Sequence, residues 1–538
     1  MQSIKEILYR LVAEQSDTGT RQEVKMADTI YEMLMEDDYF RQHPQYCGKY
    51  LKEDALGRPV VWAMKPGKSK KTVILLGHYD AVELAPYGSL TAYALNPELL
   101  KQKMKETAIE DKQLKKDLDD EDWAFGRGMG DMKAGVAINL FFLLSDKAYD
   151  ATLLFVSVPD EENLSSGAMQ AVQLYQELQE QYGLEYVIAL LGEPETKEKE
   201  NISEIQVLEG SFGKIMPVVM TKGVLSHVAN IAQGLNSTFM LAEIVRNMEI
   251  NPSFITHSLG QSTPLPTTLM MKDLKATYDV STPQYSAACF NILFVDSKKP
   301  LAFLNDIRRI TEQSMATVTQ KYQQSFDKLV RLGNEQKDEM IDTSAKIVTI
   351  TALEDLLQKK NEHFSNQKQQ KIEQLKTAIQ SGEWTLLKAS LDYLKWLLTQ
   401  YETTHPVVLI GFVPPYYPAV TNRKVEKDVE SLLDGVAELT QASFGGTIKR
   451  ASYMPNVCDI SYLMNADPEG DRQFLQHLAL TPDIYDVPVE KIAKLNIPVF
   501  MIGPTARNIH EVGERVFMPD VEHRIPLLIE KIIQNAAT

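Results

Sequence analysis

Short apolar runs alternate with longer amphipathic segments along this chain. Four of the apolar runs are TVILL at 72–76, ATLLFVSV at 151–158, YVIALL at 186–191 and IPVFMI at 497–502. They are too short for helices and rich in branched residues, which is typical of strands buried on both faces of a parallel sheet. Helical spacing lies between them, as at 165–183. The pattern predicts an α/β fold with a mostly parallel central sheet and flanking helices.

The middle of the chain has a different pattern. We expect residues 1–211 to form the first part of a catalytic domain and residues 421–538 its second part. Residues 212–420 are predicted to form an inserted α+β domain, which long helices enlarge at about 305–400, where polar helix formers dominate. The charge-rich run in these helices is interpreted as a solvated face, and a specific binding surface is the alternative.

Composition narrows the class of protein. A chain of 538 residues is longer than one hydrophobic core usually supports, and its 44% hydrophobic and 24% charged residues are those of a globular protein. The net charge of -17 argues against DNA or RNA as a partner. Cys47, Cys289 and Cys458 lie far apart, so we expect buried, reduced thiols rather than disulfides or a thiolate metal site.

Targeting signals are also not indicated. The amino-terminal stretch MQSIKEILYRLVAEQS mixes charged and apolar residues and lacks the apolar core of a signal peptide. No segment reaches the run of about 18 apolar residues that a membrane-spanning helix needs. We therefore expect a cytoplasmic protein without a membrane partner.

Each predicted strand is followed by residues that can bind a metal. The four strands continue into GHYDAV, PDEEN, GEPE and GPTARNIHEVGE. The carboxyl ends of strands in an open α/β sheet converge where ligands bind, so these side chains are expected at one edge. In GHYDAV, His78 and Asp80 share one side of an extended backbone, which places the carboxylate to accept the second ring proton of a metal-bound imidazole. Taken alone, the pair is weak evidence for a ligand, and a polar turn after the strand is the alternative.

A glycine-rich stretch, GRGMGDMKAG at 126–135, surrounds Asp131. Glycine permits backbone conformations and close approaches that other residues do not, so Asp131 can reach a crowded centre. A flexible loop is the alternative. Asp160, Glu161 and Glu162 follow a buried strand, where a divalent cation would relieve their repulsion and leave one carboxylate free as a base. An exposed acidic loop is the alternative here.

Further ligand types complete the set. Glu193 and Glu195 lie in GEPE, and His510 and Glu514 lie in NIHEVGE. Two histidines and at least three carboxylates suit a pair of zinc ions bridged by an aspartate.

The motifs GHYDAV, GRGMGDMKAG, DEEN, GEPE and IHEVGERV, in this order, resemble those of one enzyme family. It is metallopeptidase family twenty, the zinc-dependent amidohydrolases and exopeptidases that include aminoacylases, acetylornithine deacetylase, succinyl-diaminopimelate desuccinylase and glutamate carboxypeptidases. The resemblance covers most of 1–230 and 430–538. In its length and enlarged middle region, the chain is most similar to the bacterial arginine-utilisation protein branch.

The resemblance implies a role for each motif. His78, Asp131 and Glu193 would hold one zinc, and Asp131, Glu162 and His510 the other, with cobalt or manganese as substitutes. Glu195 is the rival of Glu193 for its position. In the same family, Asp80 would orient His78. Glu161 would act as the general base, taking a proton from the attacking water and returning it to the leaving amine.

The inserted domain has its own counterpart in the family. Within KGVLSHVANIAQGLNS, His227 occupies the position of a lid histidine that stabilises the oxyanion, often across a dimer interface. An exposed loop histidine is the alternative. Relatives often carry an arginine for the substrate carboxylate in a strand reading Asn-x-Arg-Phe, but FNILF offers Leu293 there. The route of carboxylate recognition and the substrate stay open. The long stretch between Asp80 and Asp131, with its acidic run DLDDEDW, is interpreted as shaping the cleft mouth.

These observations favour a cytosolic two-zinc hydrolase that cleaves the amide bond of a small N-acyl amino acid or a short peptide. A role in arginine catabolism and a homodimer formed through the inserted domain are narrower expectations. The alternative is a non-catalytic binding or regulatory protein that retains the fold. A two-metal phosphoesterase would share the ligands, but the sequence offers no basic clamp for a phosphoryl group.

Overall fold

The computed structural model describes residues 2–52, 54–196, 203–333, 340–425 and 429–537. These residues form two compact units. The first unit contains Met1–Ser211, Val420–Ala466 and Glu490–Thr538, and the second contains Phe212–Ala419 and Asp467–Val489. Among the described helices, none combines the length and the apolar character needed to cross a membrane.

The strands are β1 Cys47–Tyr50, β2 Val60–Lys65, β3 Lys71–His78, β4 Trp123–Phe125, β5 Thr152–Val158, β6 Glu185–Leu191, β7 Glu195–Thr196, β8 Glu204–Leu208, β9 Gly210–Ser211, β10 Gly213–Ile215, β11 Pro217–Lys222, β12 His257–Ser258, β13 Gln261–Ser262, β14 Thr267–Asp273, β15 Tyr285–Phe294, β16 Lys346–Thr349, β17 Val407–Phe412, β18 Val420–Thr421, β19 Thr447–Ala451, β20 Val499–Met501, β21 Thr505–Arg507 and β22 Arg515–Phe517. The α-helices are α1 Ile4–Ala13, α2 Gln22–Glu36, α3 Asp38–Gln42, α4 Pro97–Lys105, α5 Lys112–Asp119, α6 Ala134–Leu144, α7 Ser166–Tyr182, α8 Ser237–Met248, α9 Ala302–Arg331, α10 Ile350–Lys360, α11 Phe364–Gln380, α12 Leu386–Gln400, α13 Val436–Phe444, α14 Pro468–Leu475, α15 Val489–Leu495 and α16 Ile525–Ala537.

An eight-stranded sheet with the order β1-β2-β5-β3-β6-β20-β8-β19 lies at the centre of the first unit. Its four middle strands, β5, β3, β6 and β20, are the four apolar runs of the sequence, and they pair in parallel. All residues of β5 are buried, as are all but the first of β3. The predicted α/β fold with a mostly parallel central sheet is confirmed.

Helices cover this sheet. Val73 and Leu75 of β3, with Leu153 and Phe155 of β5, join apolar residues of α1, α6 and α16 in one core. The sequence of α6, AGVAINLFFLL, is apolar on nearly all sides because most of the helix is buried in that core. At the exposed start of α1, Ser3 and Glu6 form a reciprocal capping box that supplies partners for the first backbone N–H groups.

A smaller sheet, β4-β22-β21-β7, belongs to the same unit. β4 precedes the glycine-rich stretch, β21 and β22 flank the turn that contains His510, and β7 follows Glu193. A satellite apolar core, which includes Leu114, Trp123 and Phe517, joins α4 and α5 to these strands. This smaller sheet therefore positions the loops of Asp131 and His510, which do not follow strands of the large sheet.

The second unit is built on the sheet β10-β15-β11-β17-β16, with β14 paired to β15. Helices α10, α11 and α12 pack on it through a core that includes Met220, Cys289 and Leu409. The buried Lys222 ammonium donates to the backbone carbonyls of Leu398 and Tyr401 at the end of α12, which satisfies groups that a helix terminus leaves free.

The segment Asp467–Val489 belongs to the second unit. The sequence pattern predicts it within 421–538, the second part of the catalytic domain. Its backbone explains the grouping. The N–H of Phe412 donates to the His477 carbonyl, and the N–H of Ala479 donates to the Phe412 carbonyl. The Tyr416 hydroxyl also donates to Asp471. No periodicity in the sequence reports such long-range pairing.

Candidate metal centre

The predicted ligands come from loops that the two sheets bring to one place. His78 is the last residue of β3, Glu162 follows β5 and Glu193 follows β6. These strands are parallel neighbours, so their carboxyl ends lie side by side. Asp131 and His510 come from the loops adjoining the smaller sheet. The structure thus gathers all five residues in the first unit.

Asp131 lies between the two histidines. Its Oδ1 atom is 3.0 Å from Nε2 of His78, and its Oδ2 atom is 3.3 Å from Nε2 of His510. Glu193 Oε1 lies 3.5 Å from His78 Nε2 on one side, and Glu162 Oε1 lies 2.7 Å from His510 Nε2 on the other. The carboxylate of Asp131 therefore offers one oxygen to each side.

These atoms form two groups that could hold a cation each. The groups are His78, Asp131 and Glu193, and Asp131, Glu162 and His510, and the ligand atoms within each group lie within 4.8 Å of one another. Nitrogen and carboxylate oxygen atoms at such separations suit zinc, and equally a similar divalent ion. The donor set of this chain therefore fits two metal ions that share Asp131.

Asp80 holds the surrounding backbone. Nδ1 of His78 donates to the carbonyl oxygen of Asp80 at 3.0 Å, while the Asp80 carboxylate is 3.4 Å away. That carboxylate accepts from the backbone N–H groups of Glu161 and Glu162 and from the Thr18 hydroxyl. Asp80 therefore orients the His78 ring chiefly through its backbone and aligns the next acidic loop through its side chain.

Glu161 lies beside the cluster but belongs to neither group. Its Oε2 atom is 4.0 Å from Nε2 of His78, and 13% of its side chain is exposed. Burial raises the pKa of Glu161 well above its usual value, and the charges of Glu193 and Asp459 add to the effect. A carboxyl group in this position is available for proton transfer.

Burial and neighbouring charges together shift the pKa values of the cluster. Burial and the charge of Asp131 raise the pKa of Glu193 well above its usual value. Burial alone would lower the pKa of His78, but the carboxylates of Glu193, Asp131 and Asp80 outweigh burial and raise it. A divalent cation at this position would stabilise the ionised carboxylates and the neutral imidazoles.

The glycines near Asp131 act mainly through close approach. A Cβ atom on Gly135 would lie 2.3 Å from the carbonyl oxygen of Gly192, the residue before Glu193. Gly128 has φ +70, the left-handed region that favours glycine. The glycine-rich stretch therefore lets the loops of Asp131 and Glu193 touch backbone to backbone.

Two acids that the motifs left open have other partners. The Glu514 carboxylate pairs with Arg127 at 2.6 Å and accepts from the backbone N–H groups of Gly130 and Asp131. Glu195 accepts from the N–H of Gln206. Glu514 therefore positions the loop of Asp131, and Glu193 rather than Glu195 lies in the cluster.

Sequence reasoning missed Asp459, Thr18 and Arg127. Asp459 is fully buried in a short 3₁₀ helix, Asp459–Tyr462, and burial raises its pKa to about 7. It follows no apolar strand and belongs to no spaced motif, so nothing in the sequence singles it out. Arg127 lies inside the glycine-rich stretch, but only the glycines and Asp131 of that stretch match a pattern that predicts a function.

His227 lies in the second unit, at the start of a short helix, and its ring is exposed. Its Nδ1 atom accepts from the backbone N–H of Ala229 at 3.1 Å. An imidazole that accepts at Nδ1 carries its proton on Nε2, which makes that atom a hydrogen-bond donor. Leu293 is in β15, directly opposite Lys214 of β10.

Known proteins share this architecture. Over 526 residues the chain is 30% identical to Uncharacterized protein YqjN of Bacillus subtilis (strain 168), with 95% of this chain and 92% of YqjN covered. It is 26% identical over 540 residues to Protein RocB of the same organism, with 98% and 94% covered. A crystal structure of a tripeptidase from Staphylococcus aureus shares the fold, with a TM-score of 0.52 at 12% identity over 100% of this chain and 98% of that one.

The family is set by a match that spans most of the chain. Residues 74–468 match the family described as Peptidase family M20/M25/M40. The matched range runs from β3 to the start of α14 and contains four of the five clustered side chains, all except His510. The chain therefore belongs to peptidase family M20/M25/M40, and it is a metallohydrolase of the peptidase and amidohydrolase type.

Proposed function

We propose that this enzyme uses two zinc ions to cleave the amide bond of a small N-acyl amino acid or a short peptide. The observation that carries the proposal is the position of Asp131, whose two carboxylate oxygens face His78 and His510 separately. Such an arrangement is suited to a shared ligand between two cations. Cobalt or manganese would fit the same nitrogen and oxygen donors.

The ligands divide into two sets. His78 and Glu193 would hold one ion, Glu162 and His510 the other, and Asp131 both. When bound, the ions would polarise the scissile carbonyl and make the attacking water more acidic. Asp80 keeps Nε2 of His78 directed at the cluster, because its carbonyl oxygen accepts the proton on Nδ1.

Glu161 is proposed as the general base. Its carboxyl group lies beside the cluster, and its backbone is held by the N–H bond to Asp80. It would take a proton from the attacking water and return that proton to the leaving amine. A free carboxylate next to a ligand carboxylate is the arrangement that this exchange requires.

His227 is proposed to stabilise the oxyanion. Because Nδ1 accepts a hydrogen bond from Ala229, Nε2 is the donor of the ring, which suits developing negative charge on a carbonyl oxygen. In the family that the chain resembles, the corresponding histidine often acts across a dimer interface. We therefore propose a homodimer formed through the second unit.

An exposed apolar surface supports the dimer. In the described part of the chain, most of the large hydrophobic side chains that are exposed lie between residues 225 and 280. Leu269 and Met271 are 52% and 40% exposed in the edge strand β14. Clustered exposed apolar residues are typical of protein interfaces.

The family and the absence of an arginine at position 293 both bear on the substrate class. A tripeptidase shares the fold, and family members act on small amides. Similarity to Protein RocB over nearly the whole chain, with the resemblance to the arginine-utilisation branch, favours a substrate from arginine catabolism. Since Leu293 cannot pair with a carboxylate, another group would bind the substrate's acid.

Replacing Glu161 tests the proposal. The variant Glu161→Gln keeps the shape of the side chain and both ligand sets, so zinc content should stay near two per chain while hydrolysis falls at least about 100-fold. The readouts are metal analysis and a screen of N-acyl amino acids, arginine derivatives and dipeptides. Full activity of this variant would refute the role of Glu161. A metal-loaded wild type that hydrolyses nothing in the screen would favour the binding-protein alternative.

A further inference from the structure

The turn that carries His510 is held in an unusual backbone conformation. It connects β21 to β22, and Asn508, His510 and Gly513 have φ values of +51, +65 and +97. A non-glycine residue in the left-handed region is strained and persists only where the surroundings impose it. Asn and His adopt this region more often than other non-glycine residues, yet it remains uncommon for both. Contacts around the turn must therefore supply the constraint.

Arg515 supplies two of these contacts. Its Nη1 atom donates to Oδ1 of Asn508 at 2.5 Å and to the carbonyl oxygen of Gly513 at 2.9 Å. The guanidinium thus joins Asn508, the first residue of the turn, to Gly513 near its end. Arg127 adds a bond from Nη2 to the His510 carbonyl at 3.3 Å. Arg515 is 1% exposed, so its charge requires a buried partner.

Asp117 is that partner. Its Oδ2 atom accepts from Nε and Nη2 of Arg515 at 2.7 and 2.6 Å, and its carboxylate also accepts from Nη1 of Arg507 at 2.9 and 2.7 Å. Arg507 and Arg515 are cross-strand neighbours in β21 and β22. One buried carboxylate therefore pairs with and orients the arginines at both ends of the His510 turn.

Packing links the same helix to the turn. Asp117 lies in α5, and Leu114 of the same helix packs against Gly513. A Cβ atom added to Gly513 would lie only 3.0 Å from the Leu114 side chain. The helix belongs to the long stretch between Asp80 and Asp131, which contributes no residue to the metal centre itself. Helix α5 therefore packs against the turn that carries His510.

We propose that Asp117 is a positioning residue for His510. By holding Arg515 against Asn508 and Gly513, it keeps the turn in the conformation that presents the imidazole to Asp131 and Glu162. The inference rests on the proposed role of His510 as a metal ligand. Residues that hold a metal ligand in place typically account for about 10–100-fold in metal affinity.

The test compares Asp117→Asn with Asp119→Asn, a variant of an exposed acid in the same helix. After chelator treatment, Zn²⁺ is titrated into each full-length protein by calorimetry. Asp117→Asn should retain one site of wild-type affinity and weaken the other by about 10–100-fold, whereas Asp119→Asn should match the wild type. Hydrogen exchange of residues 508–513 in the metal-free protein should be faster in Asp117→Asn alone.

Two further variants separate the possible failures. Asn508→Gly keeps the positive φ and the Asp117–Arg515 pair but removes the side-chain bonds from Asn508 to Arg515 and to Glu511. It should therefore weaken the same site even if Asp117→Asn does not fold. Wild-type zinc affinity and exchange in both variants would overturn the positioning role. His510→Ala should lose one site entirely. If it binds two ions as tightly as the wild type, the ligand assignment fails, and the inference with it.

Discussion

Nε2 of His510 lies 2.7 Å from Oε1 of Glu162, a residue 348 positions away in the sequence. The same nitrogen is 3.3 Å from Oδ2 of Asp131. Without a metal ion, the ring therefore sits as a cation between two carboxylates. Its hydrogen bonds to Asp131 and Glu162 raise the pKa of His510 from 6.5 to about 10. The metal-free centre thus holds a proton where a cation would bind.

Zinc binding is therefore predicted to release protons. At about pH 8 the His510 ring is protonated in the metal-free protein, and a metal ion can bind only the neutral ring. Affinity should rise with pH and level off near the pKa of about 10. Calorimetry of Zn²⁺ in two buffers of different ionisation enthalpy measures the release, with His510→Ala as the control that lacks this proton. Binding without proton release, at an affinity independent of pH, would contradict the prediction.

The contact between Gly135 and Gly192 predicts a packing defect. In Gly135→Ala the new methyl group would meet the Gly192 carbonyl, so α6 or the loop of Glu193 must move. We expect a loss of about 1–3 kcal/mol in the free energy of unfolding, measured by denaturant titration. Gly183→Asn is the control, because no atom lies within 4 Å of its Cβ position and Asn tolerates its φ of +68. Equal stability of both variants would show that the contact is not tight.

The sequence predicted the parts of this fold that follow local patterns. The run at 72–76 is strand β3, and the run at 151–158 is its parallel neighbour β5, since buried parallel strands are continuously apolar. Spaced motifs also named the five side chains that the structure gathers. The burial of Asp459 and the ion pairs of Asp117 could not be predicted, because both depend on residues that are distant in the chain. The placement of Asp467–Val489 was likewise set by pairing with Phe412, not by local pattern.

The exposed face of β14 predicts that charge will disrupt the dimer. In Leu269→Asp an ionised carboxylate would replace a half-exposed apolar side chain, and burying it in an interface is costly. Light scattering should show dimers for the wild type and monomers for this variant. Leu99→Asp, which alters an exposed leucine of the first unit, should remain dimeric. A monomeric, fully active wild type would rule out the proposed dimer.

The shared ligand is tested most directly by anomalous diffraction from crystals of the zinc-loaded enzyme. Two anomalous peaks should flank Asp131, one within bonding distance of His78 and Glu193, the other within bonding distance of Glu162 and His510. A single peak that leaves one of these pairs without a metal ion, or peaks away from Asp131, would contradict the two-metal account.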